Sequence, residues 1–290
     1  MSAPEVESAD AWSAVSVSGL AARLRAAGCV FAEEEARLLL TAASSPAEMA
    51  LAVERRVAGY PLEHILGWAQ FCGLRIELDA GVFVPRRRTE LLVNEVAALL
   101  SADLPPNGRF QKGLPRERRD GVEPAVVVDL CCGSGAVGIA IASRIDGLEL
   151  HAADIDPAAV DCARRNLARM GGEVHQGDLF GALPPAIKGR VRVLAVNAPY
   201  VPTGAIDTMP HEAREHEPLR SLDGGADGLD FHRRVAAEAA AWLQPGGNLI
   251  IETSERQAGR TAAILKRAGF AVRTVHSDEL GGTVVVGRAR

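Results

Sequence analysis

Apolar residues recur with a helical period through the first 70 or so positions of the chain. The first stripe contains Leu20 and Leu24, and a later one begins at Pro46, a residue favoured at the first position of a helix. These stripes predict a small helical domain over residues 16–68. The residues before it, 1–15, are expected to form a flexible tail.

After the helices, apolar and polar residues alternate within residues 71–78, and an apolar triplet follows at 82–84. Alternation of this kind is typical of a half-buried strand. We therefore predict a β-hairpin linker over residues 69–88, which leads into a second domain over residues 89–290.

In the second domain, seven short apolar runs alternate with amphipathic helical segments, starting with a run at Val126–Leu130. Strands that alternate with helices predict an α/β fold, a parallel, doubly wound sheet. Such sheets bind ligands at the carboxyl ends of their strands. Residues 103–124 are rich in Pro, Gly and charge, and they are predicted to form a mobile loop.

Composition narrows the functions that this chain can have. It carries 32 Lys and Arg against 37 Asp and Glu, and the net charge of −5 disfavours a protein that mainly grips nucleic-acid phosphates. The sequence has no apolar run of about 18 residues to span a membrane, and its N-terminus does not resemble a secretory signal. The five cysteines include no Cys-x-x-Cys pair, so neither disulfides nor a metal site is predicted. We expect a cytoplasmic monomer.

A glycine-rich turn, Asp129-Leu130-Cys131-Cys132-Gly133-Ser134-Gly135, follows the first strand. Gly133 and Gly135 permit close approach of a ligand to the backbone, and the next helix offers free N–H groups at its start. The turn is compatible with a dinucleotide, with another nucleoside cofactor, or with a tight connection alone. Cys131 and Cys132 are interpreted as structural thiols.

Carboxylates follow the next two strands. Asp154 lies 19 residues after the last glycine of the turn, where an acid can accept hydrogen bonds from ribose hydroxyls, whereas Asp156 is the better helix N-cap. Asp178, in Gly177-Asp178-Leu179-Phe180, could reach the exocyclic amine of an adenine, and Phe180 could cover the ring. A turn without a ligand explains this last segment equally well.

The most informative motif is Asn197-Ala198-Pro199-Tyr200, after the fourth strand. The Asn oxygen and the adjacent backbone carbonyl can each accept one N–H of a planar NH₂ group, and Tyr200 offers a flat surface for stacking. An amide or amino-base nitrogen is a poor nucleophile because its lone pair is delocalised. Fixing both N–H bonds would aim that nitrogen at a methyl group, so the motif favours N-methylation by positioning and electrostatics. A plain Asn-Pro-type turn is the structural alternative.

Several further motifs accompany these: Gly59-Tyr60-Pro61-Leu62, Gly67, Phe71-Cys72-Gly73-Leu74, Pro85-Arg86, Thr89-Glu90, Glu217-Pro218 and Gly224-Gly225-Ala226-Asp227-Gly228-Leu229. In combination they resemble the protein-(glutamine-N5) methyltransferases, which use S-adenosylmethionine to methylate the Gln of the Gly-Gly-Gln motif in peptide-chain release factors. The resemblance extends from about Val57 to the C-terminus. It implies a class I, Rossmann-like methyltransferase fold with a mostly parallel seven-stranded sheet, and a helical N-terminal domain that helps to recognise the protein substrate.

The resemblance also implies a set of site residues. Four would be catalytic: Asn197, Ala198, Pro199 and Tyr200. The substrate would contact five: Asn197, Pro199, Tyr200, Glu217 and Pro218. The S-adenosylmethionine site would be formed by ten: Asp129, Cys131, Gly133, Gly135, Asp154, Ile155, Asp178, Leu179, Phe180 and Asn197.

The sequence departs from the family at some of these positions. Ala198 replaces the first proline of the usual Asn-Pro-Pro-Tyr, Cys131 replaces a glycine, and Arg87 and Arg88 replace a proline and an acid. These changes leave the transferase chemistry intact, but they leave the identity of the methyl acceptor undetermined. The alternatives to a release factor are another protein, a small molecule or an amino base of a nucleic acid. A protein that binds the cofactor without turnover is a further alternative.

Overall fold

Two stretches of the chain are described by the computed structural model: residues 16–102 and 123–290. They form two compact units, and the first combines residues 16–67 with the later segment Pro210–His216, which the predicted helical domain did not include. The tail predicted at residues 1–15 and most of the loop predicted at 103–124 lie outside the described residues.

The first unit is helical. Its consecutive helices are α1 (Val17–Ala26), α2 (Ala32–Ala42), α3 (Pro46–Val57) and α4 (Leu62–Leu66). Helices α1 and α3 begin at Ser16 and Ser45, whose hydroxyls accept hydrogen bonds from first-turn backbone N–H groups. Buried Leu24, Leu39 and Val53 join α1, α2 and α3 in one apolar core, which confirms the helical stripes of the sequence.

The second unit begins with a hairpin whose strands differ from the predicted ones. Strands β1 (Trp68–Phe71) and β2 (Leu74–Glu77) pair in antiparallel fashion. Cys72 and Gly73 connect them with φ angles of 51° and 76°, and two successive positive φ values are characteristic of a tight two-residue hairpin turn. The predicted single strand over residues 71–78 is therefore wrong. Residues 82–84 form no strand; Val82 and Val84 are buried in a small cluster instead.

The predicted α/β sheet is confirmed. Its seven strands are β3 (Val126–Leu130), β4 (Glu149–Asp154), β5 (Glu173–Gln176), β6 (Val191–Val196), β7 (Leu243–Glu252), β8 (Ala271–Ser277) and β9 (Gly282–Arg288). Their order in the sheet is β5-β4-β3-β6-β7-β9-β8, and only the two pairs that include β9 are antiparallel.

Helices cover both faces of this sheet. The remaining helices are α5 (Glu90–Ala102), α6 (Ala136–Ala142), α7 (Pro157–Leu167), α8 (His211–His216, in the first unit), α9 (Asp230–Trp242) and α10 (Glu255–Arg267). One apolar core joins the sheet to α5, α6 and α7, and the other joins it to α9 and α10. Among the described residues, no helix is both long and apolar enough to cross a membrane.

The strand order reverses beside β3. The chain runs from β3 outward to β4 and β5, and then returns to place β6 on the other side of β3. The crevice at such a reversal, at the carboxyl ends of the strands, is where open α/β sheets bind ligands. The ends of β3 and β6 therefore position the site.

Candidate active site

A cavity of about 440 Å³ lies at this crevice, within the second unit. Four segments at the carboxyl ends of parallel strands contribute to its walls: residues 131–134 at β3, 154–156 at β4, 177–179 at β5 and 197–201 at β6. Its volume is within the range of small-molecule sites, about 300–1,000 Å³.

The glycine turn after β3 contains a residue with an unusual backbone conformation. Cys131 has a φ of 60°, although it carries a side chain, and it lines the cavity. The left-handed region costs a non-glycine residue roughly 1–2 kcal/mol, so a glycine would be favoured here. Burial raises the pKa of the Cys131 thiol well above its ordinary value. The thiol therefore stays protonated, in agreement with its interpretation as a structural residue.

The two glycines of the turn have different environments. A Cβ atom on Gly133 would meet no atom within 4 Å, and Gly133 lines the cavity. A Cβ atom on Gly135 would lie 3.2 Å from the Cβ of Ala163 in α7. Gly135 is not on the cavity wall, so its predicted contact with the cofactor is replaced by close packing of α6 against α7.

Two carboxylates, the buried Asp129 and the half-buried Asp154, hold the turn in place. Asp129 Oδ2 accepts a hydrogen bond from the Gly138 N–H at 2.8 Å, and burial raises the pKa of Asp129 to about 7. Asp154 accepts hydrogen bonds from the N–H groups of Gly133 and Asp156, both at 2.9 Å. Burial also raises the pKa of Asp154.

Asp154 is thus less free than the sequence suggested, because each of its oxygens already accepts one backbone hydrogen bond. A carboxylate oxygen has two acceptor sites, so each can accept one more. Asp156 is the N-cap of α7, as predicted, and its side chain accepts from the Ala158 N–H. Ile155, between the two, is exposed and lines the cavity.

The segment after β5 places its residues differently from the prediction. Leu179, with a φ of 48°, lines the cavity together with Asp178. Phe180 is buried, and its ring stacks on Trp242 with the centroids 5.7 Å apart. Phe180 was predicted to cover the cofactor ring, but its side chain belongs to the core and does not line the cavity. Asp178 also has a partner that was not predicted, the Arg234 guanidinium at 2.6 Å.

The 197–200 loop forms another part of the wall, and all four of its residues line the cavity. The Asn197 Nδ2 group donates to the Thr89 hydroxyl at 3.4 Å, which leaves Oδ1 as the acceptor of that amide. Two glycines pack against the loop and do not line the cavity. A Cβ atom on Gly224 would lie 2.8 Å from the Pro199 carbonyl oxygen, and one on Gly228 would clash with the Tyr200 carbonyl oxygen.

A buried acid that was not predicted fixes Tyr200. The Tyr200 hydroxyl donates to Glu252 Oε1 at 3.1 Å, and the Arg88 Nε lies 3.4 Å from the same oxygen. Burial raises the pKa of Tyr200 and also that of Glu252. Arg88 lines the cavity with 47% of its side chain exposed. Its substitution for an acid was visible in the sequence, whereas its pairing with a residue 164 positions later was not.

Of the predicted substrate residues outside this loop, only one reaches the cavity. Pro218 lines it. The Glu217 side chain is fully buried, 2.5 Å from the Arg86 guanidinium, and it accepts a hydrogen bond from the Val84 N–H. Glu217 therefore positions the segment before α5 and does not line the cavity.

Comparison with known proteins identifies relatives of this chain. The family model of the methyltransferase small domain matches residues 116–209. A release factor glutamine methyltransferase from Geobacter sulfurreducens is 33% identical over 81% of this chain and 75% of its own length. One from Bradyrhizobium diazoefficiens is 32% identical over 91% and 89%, respectively. A 4-amino-L-phenylalanine/4-methylamino-L-phenylalanine methyltransferase from Streptomyces pristinaespiralis is 33% identical over 75% and 69%.

Proposed function

The chain belongs to the family of release factor glutamine methyltransferases, and on this basis we propose that it methylates the side-chain amide nitrogen of a glutamine in a protein. The proposed acceptor is the Gly-Gly-Gln motif of a peptide-chain release factor, and the methyl donor is S-adenosylmethionine. One observation supports this most directly: the 197–200 loop and Asp154 line the same cavity.

One part of the cavity wall, formed by residues 131–134, 154–156 and 177–179 and called the donor wall below, fits a nucleoside cofactor. When bound, S-adenosylmethionine supplies an electrophilic methyl group on its sulfonium sulfur. The remaining acceptor sites of Asp154 would hold the ribose hydroxyls, and Ile155 and Leu179 would flank the adenine with Asp178 near its amine. Gly133 supports this assignment, because a Cβ atom there would point into open space where a ligand can approach the backbone.

The acceptor wall, formed by the 197–200 loop, would orient the nucleophile. The Asn197 Oδ1 and the Ala198 carbonyl each accept one N–H of the glutamine amide, and the Tyr200 ring packs on its plane. Tyr200 cannot swing freely, because its hydroxyl is bonded to Glu252. Orientation of the amide supplies most of the rate in this proposal, and the extra proton on the product nitrogen is lost to water after transfer.

Arg88 favours a second candidate acceptor, a free amino acid that carries an amine on its side chain. Its half-exposed guanidinium, which pairs with Glu252, lines the cavity at a position where the family usually has an acid. A guanidinium is well suited to bind the carboxylate of such a molecule. A relative named for 4-amino-L-phenylalanine as substrate is similar to this chain.

One experiment separates the two candidates. The purified chain is incubated with S-adenosylmethionine labelled in the methyl group and, in parallel, with a release factor, with 4-amino-L-phenylalanine and with duplex DNA. We expect label in the release factor, on the Gly-Gly-Gln peptide after digestion and mass spectrometry. A release factor with that glutamine replaced by alanine is the matched control and should remain unlabelled. Label in the free amino acid or the DNA alone would refute the proposal.

A further inference from the structure

Two neighbouring strands, away from the cavity walls, carry the same Glu-x-His pattern. Strand β4 contains Glu149 and His151, and strand β5 contains Glu173 and His175. The parallel register pairs His151 with Glu173. Because alternate residues of a strand point to the same side, all four side chains share one face of the sheet. We propose that they form a binding site for a divalent transition-metal ion such as Zn²⁺.

The separations between the ligand atoms fit such an ion. His151 Nδ1 lies 3.0 Å from His175 Nε2 and 3.7 Å from Glu173 Oε2, and the last two atoms are 3.9 Å apart. Tetrahedral zinc with bonds of about 2.0–2.1 Å keeps its ligand atoms about 3.4 Å apart, and each of the three separations lies within about 0.5 Å of that value. An ion can therefore bind along the lone pair of His151 Nδ1 once the more exposed His175 ring moves back from the buried His151 ring.

The hydrogen-bond partners of His151 favour the tautomer whose Nδ1 can bind a metal ion. Its Nε2 lies 3.3 Å from Glu149 Oε1, and the other oxygen of Glu149 pairs with Arg190 at 3.0 Å. Metal-binding histidines commonly donate their second ring N–H to a carboxylate in this way. Donation from Nε2 leaves Nδ1 unprotonated, with its lone pair directed at His175. The ring is almost fully buried, so its orientation is fixed.

The other two ligands are accessible. Strand β5 is at the edge of the sheet, and the Glu173 and His175 side chains are 68% and 21% exposed. Solvent can thus complete the tetrahedral coordination of an ion with three protein ligands. In the metal-free protein His175 Nε2 donates to His151 Nδ1. Metal binding requires that proton to move to Nδ1 of His175, which changes its tautomer and leaves its charge unchanged.

The test is Zn²⁺ binding by the full chain, measured by competition with a chromophoric chelator. We expect saturable binding of about one ion per chain, weakened at least about tenfold by His175→Ala and by Glu173→Gln, since each removes one of three ligands. Glu149→Gln should weaken binding about 10-fold or more, the usual effect of removing the partner of a ligand histidine. His276→Ala is the matched control, because His276 lies on the edge strand at the other end of the sheet and also pairs with a carboxylate, Asp278.

A second measurement excludes binding to the five cysteines. Co²⁺ bound by two imidazoles and a carboxylate shows d–d absorption without the thiolate charge-transfer band, and His175→Ala should abolish this spectrum. Zn²⁺ should also raise the melting temperature of the parent chain and not that of Glu173→Gln. Absence of saturable binding, equal affinity in the parent and both ligand variants, or a thiolate spectrum would each overturn the proposal.

Discussion

Gly133 and Gly138 fix the donor wall of the cavity through their backbone N–H groups, which donate to Asp154 and Asp129. The acceptor wall is fixed by side chains from other segments instead: Thr89 bonds to Asn197, and Glu252 bonds to Tyr200. Substitutions of the donor-wall acids therefore remove partners of the backbone itself, whereas those on the acceptor wall change the orientation of side chains. We expect the first to act on donor affinity and folding, and the second on turnover.

Asn197→Ala tests this difference most severely. It should lower turnover by about 10²–10³, the usual loss when one preorganised group beside developing charge is removed. The dissociation constant of S-adenosylmethionine, measured by calorimetry on the same preparation, should stay within about twofold of the parent. Ala198→Pro is the control, since it keeps the backbone carbonyl and should remain active. If the turnover of Asn197→Ala stayed within about threefold of the parent, the motif would have only a structural role as a turn and no role in orienting the amide.

Asp154→Ala should have the next largest effect, on the other wall. The loss of charge-assisted hydrogen bonds to the ribose should weaken S-adenosylmethionine binding by about 1–3 kcal/mol. The Gly133 and Asp156 N–H groups also lose their acceptor, so the melting temperature should fall as well. Asp154→Asn keeps an acceptor oxygen and should recover part of both losses. An unchanged dissociation constant in Asp154→Ala would remove this residue from the donor site.

Arg88→Gln should have a smaller effect, confined to the acceptor side. The variant loses the guanidinium beside Glu252 and Tyr200, and a half-exposed pair of this kind contributes about 1 kcal/mol. We expect kcat/KM for the acceptor to fall several-fold and donor affinity to be unchanged. Arg87→Gln is the matched control, because Arg87 is exposed and does not line the cavity. An equal loss in both variants would assign the effect to surface charge.

Cys131→Gly should give the smallest change, and in the opposite direction. Glycine adopts the φ of 60° without steric cost. The gain is partly offset by the greater chain entropy of glycine when unfolded, so we expect the melting temperature to rise by about 1–3 °C. Cys131→Ala retains the Cβ atom and should show no rise. A lower melting temperature in Cys131→Gly would mean that packing of the thiol outweighs the backbone strain.

The features that the sequence predicted correctly depend on local periodicity. The alternation of strands and helices predicts the sheet. The positions of Asp154 and Asn197 at the carboxyl ends of their strands predict that both residues line the crevice there. The errors depend on single dihedral angles or on packing. Leu179 at a φ of 48° lines the cavity where Phe180 was expected, and Gly135 packs against Ala163. Neither outcome is visible in the pattern of hydrophobic residues.

The missed interactions have a different cause, because they join segments that are distant in sequence. The contact between Arg88 and Glu252 requires knowledge that the segment before α5 meets β7. The Glu-x-His patterns of β4 and β5 are 24 residues apart, and they become neighbours only through the parallel register. Two such patterns on consecutive strands are a signal that the spacing of the cysteines does not contain.

Gly224 and Gly228 pack closely against the backbone of the acceptor wall, on the side away from the cavity, and this packing allows no larger residue at either position. Any side chain at either position would meet the backbone of Pro199 or Tyr200. A substitution at either glycine would therefore disturb the orientation of the substrate amide, and it would not select a different substrate. Arg88 and Pro218 line the cavity instead. A saturation library aimed at new acceptors would find its active members at the latter positions, which means that reaction geometry and substrate range can evolve separately in this fold.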